Sequence, residues 1–501
     1  MRETLFARIS RSATALAAGQ GIQILIQFLI PPAFLAVYGV RGYAEWLVIS
    51  ASVGYLTFLD FGFQTYVVNE LTVLFHRGEL DKFRRLQSTA LKLVLGVLLV
   101  SALLALCLFF IPIGAALKLS ISEFEVSLTL YVLALQMLLA ILFGQLSGMF
   151  RAVGNAHRSI VWANVYKLFY LAVTILLISM HVPYWVIGLG QVMALVVSLL
   201  ALLIDLKRKA PVAMPRLEGW DAALAKACLK PSGFFALFAL NNFLVYQAPI
   251  LLFNHFLSSQ VVIIFSIARV LFSFARQCIV QLSHAIAPEI TRLYGIGDLH
   301  RLARLYQMGQ ALVMSLAVTF SAGVYFLSSV LIWLWLRRTD LFDSHIFLGL
   351  MVISIIMVVK DFRLNFQFAT NKHEATAAIM LASYLIMILL GVPLVFWFGV
   401  DGFLSAWALA EIFQAGVIYT FNKRLLSKVR IEGGSCVWRA VPVVGLIIVA
   451  AVFSEDRYLQ LGYFLQCIAA TLIMLTLGIT SYFSLGLKGP ILELRRQFRA
   501  N

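Results

Sequence analysis

The sequence predicts an all-α polytopic membrane protein of about fourteen transmembrane helices. They are arranged as two six-helix lobes in parallel repeat, with two further helices at the C-terminus. Three observations predict this. The 501 residues are 62% hydrophobic and only 12% charged, with a mean hydropathy of +0.93, a balance foreign to soluble chains of this length. Apolar runs of about 20 residues recur along the chain, and in lipid only helices or closed barrels satisfy every backbone group. Finally, a charged loop early in the chain returns in its second half.

The first run follows "MRETLFARISRSATALAAGQGIQ", whose charged start resembles that of a signal peptide. Its apolar continuation reaches about Tyr38, too long for a cleaved core and without a convincing cleavage site, so it is read as a retained span over 14–37. Pro31-Pro32 predicts a kink within it. Thirteen further spans are expected near 43–68, 90–113, 125–150, 159–181, 184–205, 233–255, 260–286, 306–336, 345–368, 376–398, 401–422, 437–454 and 458–484. Pro249 marks a break in the seventh.

The loops between these spans alternate sharply in charge. One set contains "HRGELDKFRRLQ", "RAVGNAHR", "DLKRKAPVAMPR", "TRLYGIGDLHRLAR" and "NKRLLSKVR", and with both termini it holds 29 Lys or Arg. The opposite loops hold five: Arg41, Lys118, Arg337, Arg338 and Arg457. The positive-inside rule then places both termini in the cytoplasm. The net charge of +16 reflects this topology rather than nucleic-acid binding, because the basic residues sit in short clusters between apolar runs.

"NELTVLFHRGELDKFRRL" from Asn69 matches "PEITRLYGIGDLHRLARL" from Pro288 at an offset of 219, pairing Gly78 with Gly297, Glu79 with Asp298 and Arg85 with Arg304. A second echo, "GNAHRS" from Gly154 against "TNKHEA" from Thr370, has an offset of 216. Both follow spans of matching direction. The expected organisation is an N-terminal lobe over 1–206, a basic cytoplasmic linker over 207–232 and a C-terminal lobe over 233–424. Two additional helices and a basic tail follow over 425–501.

Five basic residues fall within spans (Lys167, Arg269, Arg276, Lys360 and Arg363), as do three acids, Asp60, Asp361 and Glu411. Each such charge opposes insertion by roughly 2.5–3.5 kcal/mol, and such residues normally face a protein interior or a wet cavity. Ser266, Arg269, Ser273 and Arg276 follow one helical face, flanked by Gln277. A weaker stripe runs through Asn164, Lys167, Tyr170 and Thr174, and Gln20, Gln23 and Gln27 line a face of the first span. The cations are candidates for binding an anionic cargo. The amides suit either a cavity or helix packing. The acids suit either coupling to H⁺ or Na⁺ or neutralising the intramembrane cations. In "VVKDFRLNF", Lys360, Arg363 and Gln367 share one face, while Asp361 and Asn365 share another about 100° around the helix. Adjacent residues of a helix do not face each other, so this stretch is no internal salt bridge. Arg363 has a second option, snorkelling to the headgroups.

Other chemistries find little support. Five scattered cysteines make neither a disulfide framework nor a CxxC pair, the eight histidines include no HExxH, and there is no GxxxxGK[ST] loop. No catalytic constellation is visible, and Asp340/Asp343 and Glu455/Asp456 read as solvated turns. Neither enzyme activity, a metal nor a cofactor is expected.

With these residues in place, the chain resembles the polysaccharide biosynthesis family of membrane exporters. These are the O-antigen (Wzx-type) flippases of the multidrug/oligosaccharidyl-lipid/polysaccharide superfamily. The resemblance is carried by "VYGVRGYAEWLVISASVGYLTFLDFGFQTYVVNE", Val37 to Glu70, and by "APEITRLYGIGDLHRLARL" in the second half. It implies two six-helix lobes around a central cavity that opens alternately to either side of a bacterial inner membrane. It also implies a polyprenyl-pyrophosphate-linked oligosaccharide as cargo, for O-antigen, capsule or exopolysaccharide. Membrane lipids, and a polysaccharide polymerase or glycosyltransferases, are the expected partners. Gly39, Gly42, Asp60 and Gly62 match the family's commonest pattern, the glycines suiting turns or close packing. Two other readings compete: a drug/cation antiporter of the same superfamily, for which an acidic cavity would be expected, and a polysaccharide polymerase or glycosyltransferase, which generally needs a larger outer loop.

Overall fold

The computed structural model describes residues 5–56, 63–370, 374–426 and 460–484, with isolated positions between 442 and 458. These residues are almost entirely helical, and ten of their segments are long and apolar enough to cross a membrane. Two of the ten, Thr14–Leu56 and Ala375–Leu425, have 43 and 51 residues, twice what one crossing needs. Each contains a single non-helical residue, and both times it is glycine. Gly39 has φ 68° and ψ −171° in α1 (Leu5–Val53), and Gly399 has φ 61° and ψ −142° in α13 (Glu374–Leu425). That region of φ is open to glycine and costly to other residues. The two breaks fall between expected spans, at 37/43 and 398/401.

Helical dihedrals continue through Pro31 and Pro32, and the departure comes at Gly39. The positive φ of Gly39 takes the chain out of the helical region altogether, which a proline, with its φ of about −65°, does not do. Pro249 instead marks a real break: α8 (Ala222–Tyr246) ends just before Gln247, and α9 (Ala248–Phe256) begins with the proline in its first turn. Asp60 and Gly62, the expected span 437–454 apart from a few isolated positions, and the 371–373 part of the second echo lie outside the described residues.

The chain forms two compact units, Met1–Val262 and Ile263–Asn501. The first also contains α2 (Phe63–His76), α3 (Leu80–Ala105), the short α4 (Ile113–Ala116), α5 (Glu123–Ala152), α6 (Ala156–Ser179) and α7 (Tyr184–Lys209). Its centre is α5, which touches α1, α2, α3, α6 and α7. Ser122 caps it by accepting from Glu125 N at 3.2 Å. Acids in its first turn and Arg151 in its last match the helix dipole. Phe63, Leu71, Phe83, Leu86, Leu146, Phe150, Leu195 and Leu202 pack into the core around it. Beside it, Arg158 of α6 makes a bidentate pair with Asp205 of α7, both contacts 2.8 Å, and Trp162 Nε1 donates to the same carboxylate.

The second unit holds α11 (Leu299–Leu336), α12 (Ser344–Ala369), α13 and α14 (Tyr463–Ser484), with most of α10 (Ser259–Gly295). Here α12 is the most enclosed element, packed against α11 and α13. Tyr306 stacks on Phe362 at 5.8 Å and meets Phe366 at 4.8 Å. Gly309 lets that contact form, because a Cβ there would stand 2.6 Å from the Phe362 ring.

The internal repeat is visible in the backbone. Between α2 and α3, Gly78 has φ 77°; between α10 and α11, Gly297 has φ 76°. The hydrogen bonds Arg77 N to Val73 O, Gly78 N to Phe75 O, Glu79 N to Leu74 O and Phe83 N to Glu79 O recur 219 residues later. There they are Ile296 N to Arg292 O, Gly297 N to Tyr294 O, Asp298 N to Leu293 O and Leu302 N to Asp298 O. Even the flanking ion pairs correspond: Lys82–Glu79 at 2.6 Å and Arg301–Asp298 at 3.3 Å. Both matching turns end one helix with a left-handed glycine and open the next on an acid.

Candidate functional site

The intramembrane charges of the second unit converge on α12. Asp343 caps this helix, accepting from Ile346 N at 3.0 Å, and no proline interrupts it. Lys360 and Arg363 therefore leave it on one side and Asp361 on another. Three charges in four residues go to three different places.

Lys360 turns toward α13. Its Nζ lies 2.7 Å from Glu411 Oε2 and 2.7 Å from Tyr384 Oη, with Gln414 Oε1 at 3.5 Å. These three acceptors match the three N–H bonds of an ammonium. On the far side of the cage, Tyr384 OH and Trp407 Nε1 donate to Glu411 Oε1 at 2.8 and 3.1 Å. Gln414 Nε2 donates to Ser383 Oγ. The Lys360 and Glu411 side chains are 3% and 0% exposed. This is a closed, charge-neutral arrangement, in which the Glu411 carboxylate meets a cation that belongs to the chain itself.

Arg363 lies one turn further along and does not snorkel. It is buried, its Nη1 donates to Ala415 O at 2.7 Å and its Nε to Gln310 Oε1 at 3.3 Å. Its guanidinium stands 4.9 Å from the Tyr419 ring. Gln367 continues the face, donating to Asn422 Oδ1 at 2.5 Å, and Asn422 Nδ2 donates to Arg363 O and to Tyr306 Oη.

Asp361 points to α10 instead. Its Oδ2 meets Arg276 Nη1 at 2.7 Å, and Asn365, one turn on, donates to Ser283 O of the same helix. Here the exposures are 20% for Arg276 and 19% for Asp361, so this pair reaches open space where the Lys360 cage does not. Along the same side of α10, Arg269, Ser273 and Gln277 are also half-buried, and Ser266 is buried. The Arg269 guanidinium stands 5.6 Å from the Phe265 ring.

The polar residues of the first unit divide by role. Asn164 Nδ2 donates to Ala15 O at 2.7 Å, and its amide packs against Gly19, so it joins α6 to α1. Thr174 is buried and accepts from Gln191 of α7 at 3.2 Å. Between them Lys167 is half-buried and has no ion-pair partner among the described residues. Gln20 is exposed, and Gln23 and Gln27 are half-buried.

Sequence reasoning passed over Tyr384, Trp407, Gln310 and Asn422. A signal for two of them existed: Trp407, Glu411, Gln414, Ile418 and Asn422 follow one helical face of α13. Outside the spans, Arg338 bonds Asp340 at 2.6 and 2.9 Å and holds its carboxyl below the usual range. The Asp340/Asp343 pair is thus a turn brace and a helix cap. Among the described residues no group of His, Cys, Asp and Glu could hold a metal ion.

The sequence matches no protein-family model and no curated protein. Solved structures do resemble it. A structure titled as the inward-facing conformation of a multidrug resistance MATE family transporter of the MOP superfamily aligns with a TM-score of 0.67 and 12% identity, covering 81% of this chain and 95% of its own. The lipid II flippase MurJ, in an inward closed conformation, aligns with a TM-score of 0.67 and 11% identity, over 95% of this chain and 100% of its own. The MATE multidrug transporter DinF-BH gives 0.62 and 14%, over 86% and 98%. The chain is a multi-pass helical membrane protein with the fold of these MOP transporters.

Proposed function

We propose that this protein is a flippase that moves polyprenyl-pyrophosphate-linked oligosaccharide from the cytoplasmic to the outer leaflet by alternating access. The cargo would serve surface polysaccharide synthesis, with both termini in the cytoplasm of a bacterial cell. The observation that carries this reading is the sign of the charge left over within the spans. The two described acids of the set Asp60, Asp361 and Glu411 each face a cation of the chain, Glu411 with Lys360 and Asp361 with Arg276. The charge balance of Lys167, Arg269, Arg276, Lys360 and Arg363 against Asp60, Asp361 and Glu411 is net positive. An anionic pyrophosphate crossing a low-dielectric region gains from fixed cations, and arginine binds phosphate oxygens in bidentate fashion. The half-buried side of α10, with Arg269, Ser273, Arg276 and Gln277, offers both cations and hydrogen-bonding groups for such a headgroup and its sugars.

The same fold serves multidrug transporters, so antiport of cationic drugs is the second reading. A cationic drug would find the carboxylates of Asp361 and Glu411 already occupied, which favours the anionic cargo. The test replaces Arg269 or Arg276 by Ala in cells that display the glycan. Display falls at least tenfold at unchanged protein level if the reading is right; normal display removes α10 from the cargo path. In inverted vesicles the wild-type chain takes up no cationic dye, and efficient dye uptake would overturn the flippase reading.

A further inference from the structure

A groove of about 540 Å³ runs between α1 and α6 in the first unit, with Arg11, Ala15 and Ile22 on one wall and His157, Val165 and Leu168 on the other. Asn164 donates to Ala15 O and packs on Gly19, which fixes the register of the two helices. The early residues of both, Arg11 and His157, therefore share one end of the groove, and Ile22 and Leu168 share the other. From Arg11 to Ile22 is about 16 Å of helix, close to half of the ~30 Å hydrocarbon thickness. The groove is one leaflet long, basic at its mouth and apolar along its floor.

The polar stripes of both helices lie elsewhere. Arg11, Ala15, Ala18 and Ile22 follow one side of α1, and Gln20, Gln23 and Gln27 are rotated from it by about 100° or more. On α6, His157, Val161, Val165 and Leu168 form one side, and Lys167, Tyr170 and Thr174 another. A sugar-bearing headgroup would need those polar sides; of the uncharged polar residues only Thr14 and Asn164 line the groove, and the Asn164 amide already donates to Ala15 O. Val161, Val165 and Leu168 are 44%, 41% and 47% exposed, which suits contact with a lipid chain.

We infer that this groove is a binding site for an anionic phospholipid of the surrounding bilayer. One acyl chain lies along Ala15, Ala18, Ile22, Val165 and Leu168, and the phosphate sits at Arg11 and His157. Loop charge assigns that end to the cytoplasm, where anionic headgroups attract basic side chains.

Native mass spectrometry of the purified full-length chain, titrated with phosphatidylglycerol and with phosphatidylcholine of the same acyl chains, tests the site. Phosphatidylglycerol is retained at least fivefold better, and Arg11→Gln lowers that preference about fivefold, the worth of one basic residue at an anionic surface. The double variant with His157→Gln lowers it further. Val165→Trp, which fills the exposed floor, reduces retention of both lipids and serves as the test should Arg11→Gln fold poorly. Equal retention of the two lipids by the wild-type chain, a wild-type preference in Arg11→Gln, or wild-type retention in Val165→Trp overturns the site. Displacement of phosphatidylglycerol by an equal concentration of polyprenyl phosphate would instead make the groove a cargo-loading site, and would overturn the assignment to a bilayer lipid.

Discussion

Lys360 and Glu411 form an ion pair with essentially no access to solvent, and its energetics follow from that. Bringing both charges out of water costs several kcal/mol per ion, and the pair persists because Tyr384, Trp407 and Gln414 complete its hydrogen bonds. Removing one partner leaves the other buried and uncompensated, at a cost of about 3–5 kcal/mol. Lys360→Met and Glu411→Gln should each lower the thermal unfolding midpoint of the purified protein substantially. The double variant should recover most of the loss. A double variant as unstable as the sum of the singles would mean that the two residues stabilise the protein independently. The spacing in "VVKDFRLNF" told in advance which charges share a side of the helix, since phase is a local property of 3.6 residues per turn. It could not tell which helix each side would meet. Tyr384 and Glu411 stand 24 and 51 residues further along the chain, and an aromatic residue in an apolar run looks like core until its hydroxyl is found on a carboxylate.

At the scale of elements, the repeated turn is the sharpest feature. Gly78 and Gly297 hold φ of 77° and 76°, where a Cβ costs roughly 1–2 kcal/mol. No atom would obstruct a Cβ at either site, so backbone conformation alone sets the penalty. Gly78→Ala and Gly297→Ala should each destabilise by about 1 kcal/mol and by similar amounts, measured by thermal unfolding in detergent. Ala at one site being neutral would show that the two turns are not equivalent in solution. This turn was legible in the sequence because glycine, a following acid and a basic residue three further on each do a separate job. The break at Gly39 was legible only as a gap between apolar runs.

For the whole molecule, the all-helical membrane fold was legible from composition and apolar run length, which reflect the bilayer rather than any one contact. The orientation rests on loop charge. Cysteine substitution in a variant lacking the five native cysteines provides its test. A maleimide that does not cross membranes should label Asp340→Cys in intact cells and His300→Cys only after permeabilisation. The reverse pattern would invert the topology and place the cations of the charged loops outside. Cargo was the least legible property. The fold is shared by proteins of different cargo, and the residues that distinguish an anion path from a cation path are few. They become informative only once it is clear which charges already face each other.

The Lys360 cage also constrains how the chain enters the membrane during synthesis. A segment carrying Lys360, Asp361 and Arg363 is penalised roughly 2.5–3.5 kcal/mol for each charge when it meets lipid alone. Arg276, the partner of Asp361, has already emerged from the ribosome when α12 appears. Glu411, the partner of Lys360, has not; it follows 51 residues later, in the second half of the 52-residue α13. Until then the ammonium has no counter-ion. The pairing predicts that α12 integrates fully only once Glu411 has been made: a chain truncated before Glu411 should insert α12 less completely than the full chain in a glycosylation-mapping assay.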